Sequence, residues 1–254
     1  MSLRIIQISD CHLFADPAAQ LKGICTQERL NWILQALRTE RQQPDLLILT
    51  GDLTHDEKRE TYSSLHQQLA PWREKLRVLA GNHDDRAGLS EFFPQPPMSD
   101  EGRILFAENA GNWKLIGLDS QLTGASKGFL GKVQLNWLAS QLAAQPTHPT
   151  ALFLHHPPVQ VGSLWLDQIG LEDAAEFWEV IMRFSQVKVI CAGHVHQELA
   201  ITRGNVLVLA TPSTGVQFLP QASTLAIDSV PPGFRVMELD DSGEVRTRVV
   251  RITQ

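Results

Sequence analysis

Asp10, His12, Asp52, Asn82, His155, His194 and His196 are the residues whose types and positions in this 254-residue chain point most directly to chemistry. Each falls just after a short apolar run. Ile5 to Ile8 leads into Asp10-Cys11-His12, Leu46 to Thr50 into Gly51-Asp52, and Leu76 to Ala80 into Gly81-Asn82-His83-Asp84. Ala151 to Leu154 leads into His155-His156-Pro157-Pro158, and Val187 to Ala192 into Gly193-His194-Val195-His196. In open sheets with parallel strands, ligands gather beyond the carboxyl ends of the strands, so five such ends can share one pocket. The Asp-x-His and His-x-His spacings suggest extended backbone, on which side chains two apart point the same way. Cys11 and Val195 should then face away, which removes the Cys11 thiol from the donor set.

Four imidazoles, two carboxylates and one amide oxygen suit iron, manganese, zinc or cobalt rather than calcium. Seven donors exceed what one such ion takes. They fit two divalent ions sharing a carboxylate, roughly 3.5–4 Å apart, the arrangement used for in-line displacement at phosphorus. Iron, alone or with manganese, heads the expected occupants, and zinc and cobalt stay open. Two dications against two carboxylates and a hydroxide leave local positive charge, which attracts a phosphodiester anion.

The elements that must position these residues are legible from periodicity. Strand-length apolar runs lie at Leu3 to Ile8, Leu46 to Leu49, Leu76 to Leu79, Leu115 to Leu118, Ala151 to Leu154 and Val187 to Cys191. Helical spacing connects Leu30, Ile33, Leu34 and Leu37 after a Thr26 cap, and Tyr62, Leu65 and Leu69 before Pro71. Leu135, Leu138 and Leu142 predict a third helix; Ala174, Ala175, Trp178, Ile181 and Met182 predict a fourth. The tail from Glu198 to Ile252 reads mostly as strand, with runs at Val206 to Leu209, Phe234 to Leu239 and Val245 to Ile252. Phe93 to Gly102 and Pro157 to Gly162 read as loops, and Pro231-Pro232-Gly233 as a turn. Mixed sheets flanked by helices follow, of α/β (α+β) class, and residues 1–254 are expected to form one domain.

A net charge of −6 offers no basic field for a polyanion, so nucleic acid is not an expected partner. No apolar run spans a bilayer, and the first residues lack a secretory pattern. With three unpaired-looking cysteines, this predicts a cytoplasmic protein with no membrane partner. A homo-oligomer is compatible with the sequence.

The five blocks resemble, in order, those of the calcineurin-like metallophosphoesterase superfamily. Within it the chain is most similar to the bacterial class III cyclic-nucleotide phosphodiesterases. The likeness extends through Trp165-Leu166-Asp167-Gln168, His196-Gln197-Glu198-Leu199, Ala210-Thr211-Pro212-Ser213-Thr214 and Val216-Gln217-Phe218. It implies a four-layer αββα sandwich of two mixed β-sheets. It also implies hydrolysis of the 3′ bond of 3′,5′-cyclic AMP to give 5′-AMP. One ion would be held by Asp10, His12, Asp52 and His196, and the other by Asp52, Asn82, His155 and His194. The substrate phosphate would meet His12, Asp52, Asn82, His83 and His196, with His83 as the catalytic proton donor to the leaving 3′-oxygen or as a hydrogen bond to the phosphate. Trp165, Thr211, Ser213, Thr214 and Phe218 are candidates for the nucleoside pocket. The position between Asp10 and His12, often Thr in these enzymes, is Cys11 here.

Each block alone has an ordinary reading as a turn; their combination selects the metal site. His156, followed by Pro157, reads as a neighbour of the ligands. His55, His66 and His148 read as solvated, and Asp84 either orients His83 or stabilises its loop. Trp32, Trp137 and Trp178 read as core residues on helices, whereas Trp165 reads as a loop residue near the site. Cys191 reads as a small buried hydrophobe. A broad metallophosphodiesterase acting on glycerophosphodiesters or 2′,3′-cyclic nucleotides is the enzymatic rival, and a non-catalytic interaction module on the same scaffold is the other. Gly51 to Asp56 lacks the Arg with which protein phosphatases of the superfamily follow this block, and a nuclease would want a basic track.

Overall fold

Residues 2–40, 43–94 and 102–253 are described by a computed structural model of the chain. From the N-terminus, β1 (Ser2–Ile8) leads through α1 (Thr26–Thr39) to β2 (Leu46–Thr50), α2 (Arg59–Gln68), β3 (Leu76–Leu79) and α3 (Arg86–Phe92). A hairpin of β4 (Phe106–Ala110) and β5 (Trp113–Gly117) precedes α4 (Gly131–Ala144), β6 (Thr150–Phe153), α5 (Leu164–Asp167), α6 (Ala174–Ile181) and β7 (Val187–Ala192). The chain closes with β8 (Leu199–Arg203), β9 (Val206–Ala210), β10 (Gly233–Asp240) and β11 (Val245–Arg251).

Two mixed sheets result, in the orders β11-β10-β1-β2-β3 and β8-β9-β7-β6-β5-β4. β1, β2 and β3 pair in parallel, as do β5, β6, β7 and β9. Their carboxyl ends therefore point to a common edge, the one expected to gather the polar blocks. Strand alternation divides the core. Ile5, Leu46 and Ile48 from the first sheet pack with Phe153, Val189 and Leu209 from the second, while Ile6, Leu47 and Leu49 pack outward on Leu30, Ile33 and Leu37 of α1 and Leu65 of α2. Leu152, Ile190 and Val208 likewise face Leu138 of α4 and Phe177 and Trp178 of α6. The layers thus run helix, sheet, sheet, helix, as the resemblance implies.

Several local expectations shift. Thr26 is the first residue of α1 rather than its cap, and its hydroxyl donates to the His12 carbonyl at 2.9 Å, tying the helix to the first block. The run at Leu115 forms strand from Trp113 to Gly117, ending one residue earlier than predicted. Met182 stays 63% exposed beyond the end of α6, and the buried face belongs to Phe177, Trp178 and Ile181. Trp32 is half-buried with Arg29 stacked 4.1 Å over its ring, so it is a surface residue rather than core. Trp137 is half-buried against the outer core of the second sheet, and Trp178 is fully part of it. Within the loop predicted at Phe93 to Gly102, residues 95–101 lie outside the described residues.

Candidate metal centre

Three of the five polar blocks, those after β1, β2 and β7, leave their strands by left-handed backbone. Asp10, His12, Asp52, His194 and His196 have φ of 56°, 46°, 50°, 68° and 50°. Asp and His tolerate this region better than most side chains, but five such residues together store strain that the surroundings must hold. The expectation of extended backbone at the Asp-x-His and His-x-His pairs is therefore corrected. Their members converge because the chain curls over the strand ends. The outcome for the intervening residues is unchanged: Cys11 packs in the outer core of the first sheet, and Val195 packs with Leu166 and Ala210.

Hydrogen bonds fix the curls on one another. Asp10 and His12 donate their backbone N–H groups to the carbonyls of Gly51 and Asp52 at 3.0 and 2.9 Å. The His194 N–H reaches the Asp10 carboxylate at 3.0 Å, and the His83 N–H reaches Asp52 Oδ1 at 2.8 Å. Close approach explains two glycines. A Cβ on Gly81 would collide with Asp52 Oδ1, and one on Gly193 with Ser9 Oγ. Asp84 resolves as a loop stabiliser, since its buried carboxylate accepts from the N–H groups of Leu53, Thr54 and Gly81 and from the Tyr62 hydroxyl.

All seven predicted donors meet in this place. Asp52 Oδ2 lies 3.5 Å from His12 Nε2 and 3.4 Å from His155 Nε2, between the two groups of imidazoles. On one side His12 Nε2 and His196 Nε2 are 3.1 Å apart, with Asp10 Oδ1 3.4 Å from His196 Nε2. On the other, Asn82 Oδ1 sits 3.3 Å from His155 Nε2, and the ring centroids of His155 and His194 are 5.1 Å apart. Asp10, His12, Asp52, His155, His194 and His196 are all buried, and Asn82 is half-buried.

Which nitrogens are free can be worked out. His155 Nδ1 is 2.7 Å from the Thr50 carbonyl and His196 Nδ1 is 2.7 Å from the Val216 carbonyl. A carbonyl accepts only, so both rings carry a proton on Nδ1 and, when neutral, turn an Nε2 lone pair into the cluster. Among the described residues His194 Nε2 has no hydrogen-bond partner, although it is buried. A stranded imidazole nitrogen amid so many other donor atoms is costly unless a cation sits among them, and the chemistry of this donor set fits such an ion.

The electrostatics agree. Burial drives the His12 and His194 imidazoles down to about 3, so both are neutral lone-pair donors at neutral pH. Burial also opposes ionisation of Asp52, but His155 and then His12 and His83 outweigh it and hold the carboxyl well below its usual range. Asp52 and Asp10 outweigh the burial of His155 and push it up to about 9, so without an ion its Nε2 also carries a proton, directed at Asp52, and a bound cation would take that proton's place. Two carboxylates stay ionised here and recruit whatever positive charge is at hand. Groups able to hold an ion include Asp10-His12-His196, Asp10-Asp52-His155 and His155-His156-His194.

Comparison with known proteins places this geometry. Residues 3–198 match the calcineurin-like phosphoesterase family. The chain belongs to that family. Its dinuclear site supports two divalent ions in this cluster. The chain is 37% identical over 251 residues to the 3′,5′-cyclic adenosine monophosphate phosphodiesterase CpdA of Vibrio vulnificus, covering 99% of this chain and 90% of that one. It is 36% identical over 252 residues to a 3′,5′-cyclic-nucleotide phosphodiesterase of Nostoc, covering 99% and 93%. The fold is that of a dimetal phosphatase from Danio rerio, with a TM-score of 0.66 at 14% identity and 99% coverage of both chains.

Around this family centre the sequence reading needs four corrections. His55, read as solvated, is half-buried inside the cluster, stacked 4.7 Å from His83 with its Nδ1 3.2 Å from His12 Nδ1. No second member of a spaced motif marked it, because its partners come from other loops. His66 and His148 are also half-buried rather than solvated, and His66 lies edge-on to Phe93 at 5.5 Å. Thr211, Ser213 and Thr214 have no accessible surface, so they line no open nucleoside pocket. Thr211 donates to Gln7 Oε1 and Ser213 to the Asp10 carbonyl, each at 2.7 Å. Trp165 lies in the short helix α5 rather than in a loop and meets Phe218 edge-on at 5.0 Å, and Phe218 stacks on His196 at 4.1 Å. His156 packs against His194 at 4.5 Å between ring centroids, with Nδ1 2.9 Å from Ser120 Oγ and Nε2 3.2 Å from the Ser126 carbonyl.

Proposed function

We propose that the chain hydrolyses 3′,5′-cyclic AMP at its 3′ phosphoester bond, yielding 5′-AMP and lowering the cyclic AMP level of the cell. The observation that carries the reading is the position of Asp52 Oδ2, within 3.5 Å of His12 Nε2 on one side and 3.4 Å of His155 Nε2 on the other. On this reading Asp10, His12, Asp52 and His196 hold one ion, Asp52, Asn82, His155 and His194 hold the second, and Asp52 is shared. Iron, alone or with manganese, is the proposed occupant, and the same donors suit zinc and cobalt. When bound, such a pair supplies a hydroxide nucleophile at neutral pH and offsets charge on the phosphoryl oxygens. The substrate assignment is supported by relatives named for this activity that align along nearly the whole chain.

The side chains then divide the remaining work. His12, Asp52, Asn82, His83 and His196 surround the phosphate. His83 is held by its backbone N–H on Asp52 and by its ring against His12 and His55, and it gives a proton to the leaving 3′-oxygen. Phe218 and Trp165 cover the outer face of His196, a suitable wall for a nucleoside. We also propose that residues 1–254 act as one domain, since β1 pairs with β10 from the far end of the chain. Among the described residues no helix is long and apolar enough to cross a membrane. The proposed cytoplasmic location rests on three unpaired thiols, which fit a reducing compartment.

The test is a rate comparison on manganese- or iron-loaded protein across cyclic AMP, cyclic GMP, a 2′,3′-cyclic nucleotide and a glycerophosphodiester. Cyclic AMP is expected to have the highest kcat/KM. Preference for the glycerol ester or the 2′,3′-cyclic nucleotide would make the chain a broad metallophosphodiesterase. Failure to bind metal or to hydrolyse bis(p-nitrophenyl) phosphate would make it an interaction module.

A further inference from the structure

Of the site's imidazoles, His155 and His196 each have Nδ1 tied to a backbone carbonyl at 2.7 Å, which fixes their tautomer. His12 has no carbonyl at its Nδ1. The partner there is His55 Nδ1, at 3.2 Å. If His12 Nε2 faces an ion, the proton of that ring sits on Nδ1 and must be donated outward. His55 Nδ1 is then the acceptor, and the His55 proton moves to Nε2. We infer that His55 is a positioning residue for the metal centre, doing with a side chain for His12 what the backbone does for His155 and His196.

The His55 ring is well held for this task. Its backbone N–H donates to the Leu13 carbonyl at 2.8 Å, and Leu13 pairs with Thr54, so the loops carrying His12 and His55 are joined beside the two rings. The imidazole lies between Phe14, at 5.0 Å, and His83, at 4.7 Å, and makes a further edge contact with His12 at 5.3 Å. It is thereby in contact with one proposed ligand and with the proposed proton donor. Partners that orient a metal-bound imidazole typically account for about 10- to 100-fold in metal affinity. A side chain in this role, unlike a carbonyl, can be replaced without disturbing a strand.

The inference rests on the reading of His12 as a ligand, and two substitutions test it separately from that reading. His55→Asn places an amide oxygen near the Nδ1 position and keeps the acceptor. His55→Phe keeps an aromatic ring against His83 and Phe14 but removes the acceptor. Zinc binding to the metal-free proteins is measured by calorimetric titration, with thermal unfolding of the metal-free forms as the folding control. The tautomer of His12 is read from nitrogen-15 imidazole spectra of the zinc-loaded proteins. We expect His55→Phe to weaken one of the two zinc-binding steps about 10- to 100-fold and to lose the hydrogen-bonded Nδ1–H signal of His12, while His55→Asn keeps both near the wild-type values. Equal zinc affinity in His55→Phe and wild type, or an Asn variant as weak as the Phe variant, overturns the inference. Wild-type protein that binds no zinc overturns instead the reading of His12 as a ligand.

Discussion

Two stretches at the same edge of the sheets use buried polar residues in opposite ways. In Thr211 to Ser213, which follows β9, the hydroxyls are spent inside the protein, on the Gln7 amide and the Asp10 carbonyl. In the blocks after β1, β2, β6 and β7, His194 Nε2 is buried without a partner among the described residues, and His12 and His196 bring their Nε2 atoms to 3.1 Å. A buried polar group needs a partner wherever it sits. Where the protein supplies one, the residue is framework; where several metal-donor atoms converge around one left without a partner, a ligand from outside is called for. Burial and residue type alone do not separate the two cases, because both stretches are polar and almost fully enclosed.

The comparison breaks most readily at Asp52. Asp52→Asn keeps the shape but removes the charge shared by both sides, and we expect loss of at least one bound ion and of roughly 10³-fold in turnover. Metal content by elemental analysis and kcat on cyclic AMP check this, and near-normal values for both would place Asp52 with the framework. His83→Ala should lose about 10²-fold in kcat with both ions retained, because on the proposed reading the ring supplies a proton, whereas the backbone N–H that supports Asp52 is kept. A variant as active as wild type would remove His83 from the chemistry.

On the framework side, Ser213→Ala should lower stability by about 1 kcal/mol through the lost bond to the Asp10 carbonyl, measurable by urea unfolding, with KM for cyclic AMP unchanged. A raised KM with unchanged stability would return Ser213 to the substrate pocket. The smallest effect concerns Cys11, which sits between two proposed ligands yet faces the core. Burial pushes its thiol, and that of Cys191, up to about 12. A thiol reagent at pH 8 should therefore modify half-buried Cys25 and spare the other two until the protein unfolds, which mass spectrometry reads directly.

Much of this was legible in advance because it is local. Strand-length and helix-length apolar runs showed mixed sheets flanked by helices, the four layers were implied by the family resemblance, and the structure places Ile5 and Ile6 on opposite faces of β1. The residues proposed as donors stand out because Asp, Asn and His fall where apolar runs stop. The short helix α5 escaped because four residues carry too little periodicity to read. The left-handed curls at Asp10 and His194 escaped because the spacing of two residues has the same look in extended and curled backbone.

By itself the sequence determined the kinds of donor atom, their attachment to strand ends, and the sheet-and-helix order that brings those ends to one edge. Only the tertiary structure decided which of those atoms keep a free lone pair, that His55 joins the cluster, and that Thr211, Ser213 and Thr214 do not line an open pocket. The physical reason is distance along the chain. Hydrogen-bond satisfaction is settled between residues such as Asp10 and His194, 184 positions apart, and no local pattern encodes whether a partner will arrive.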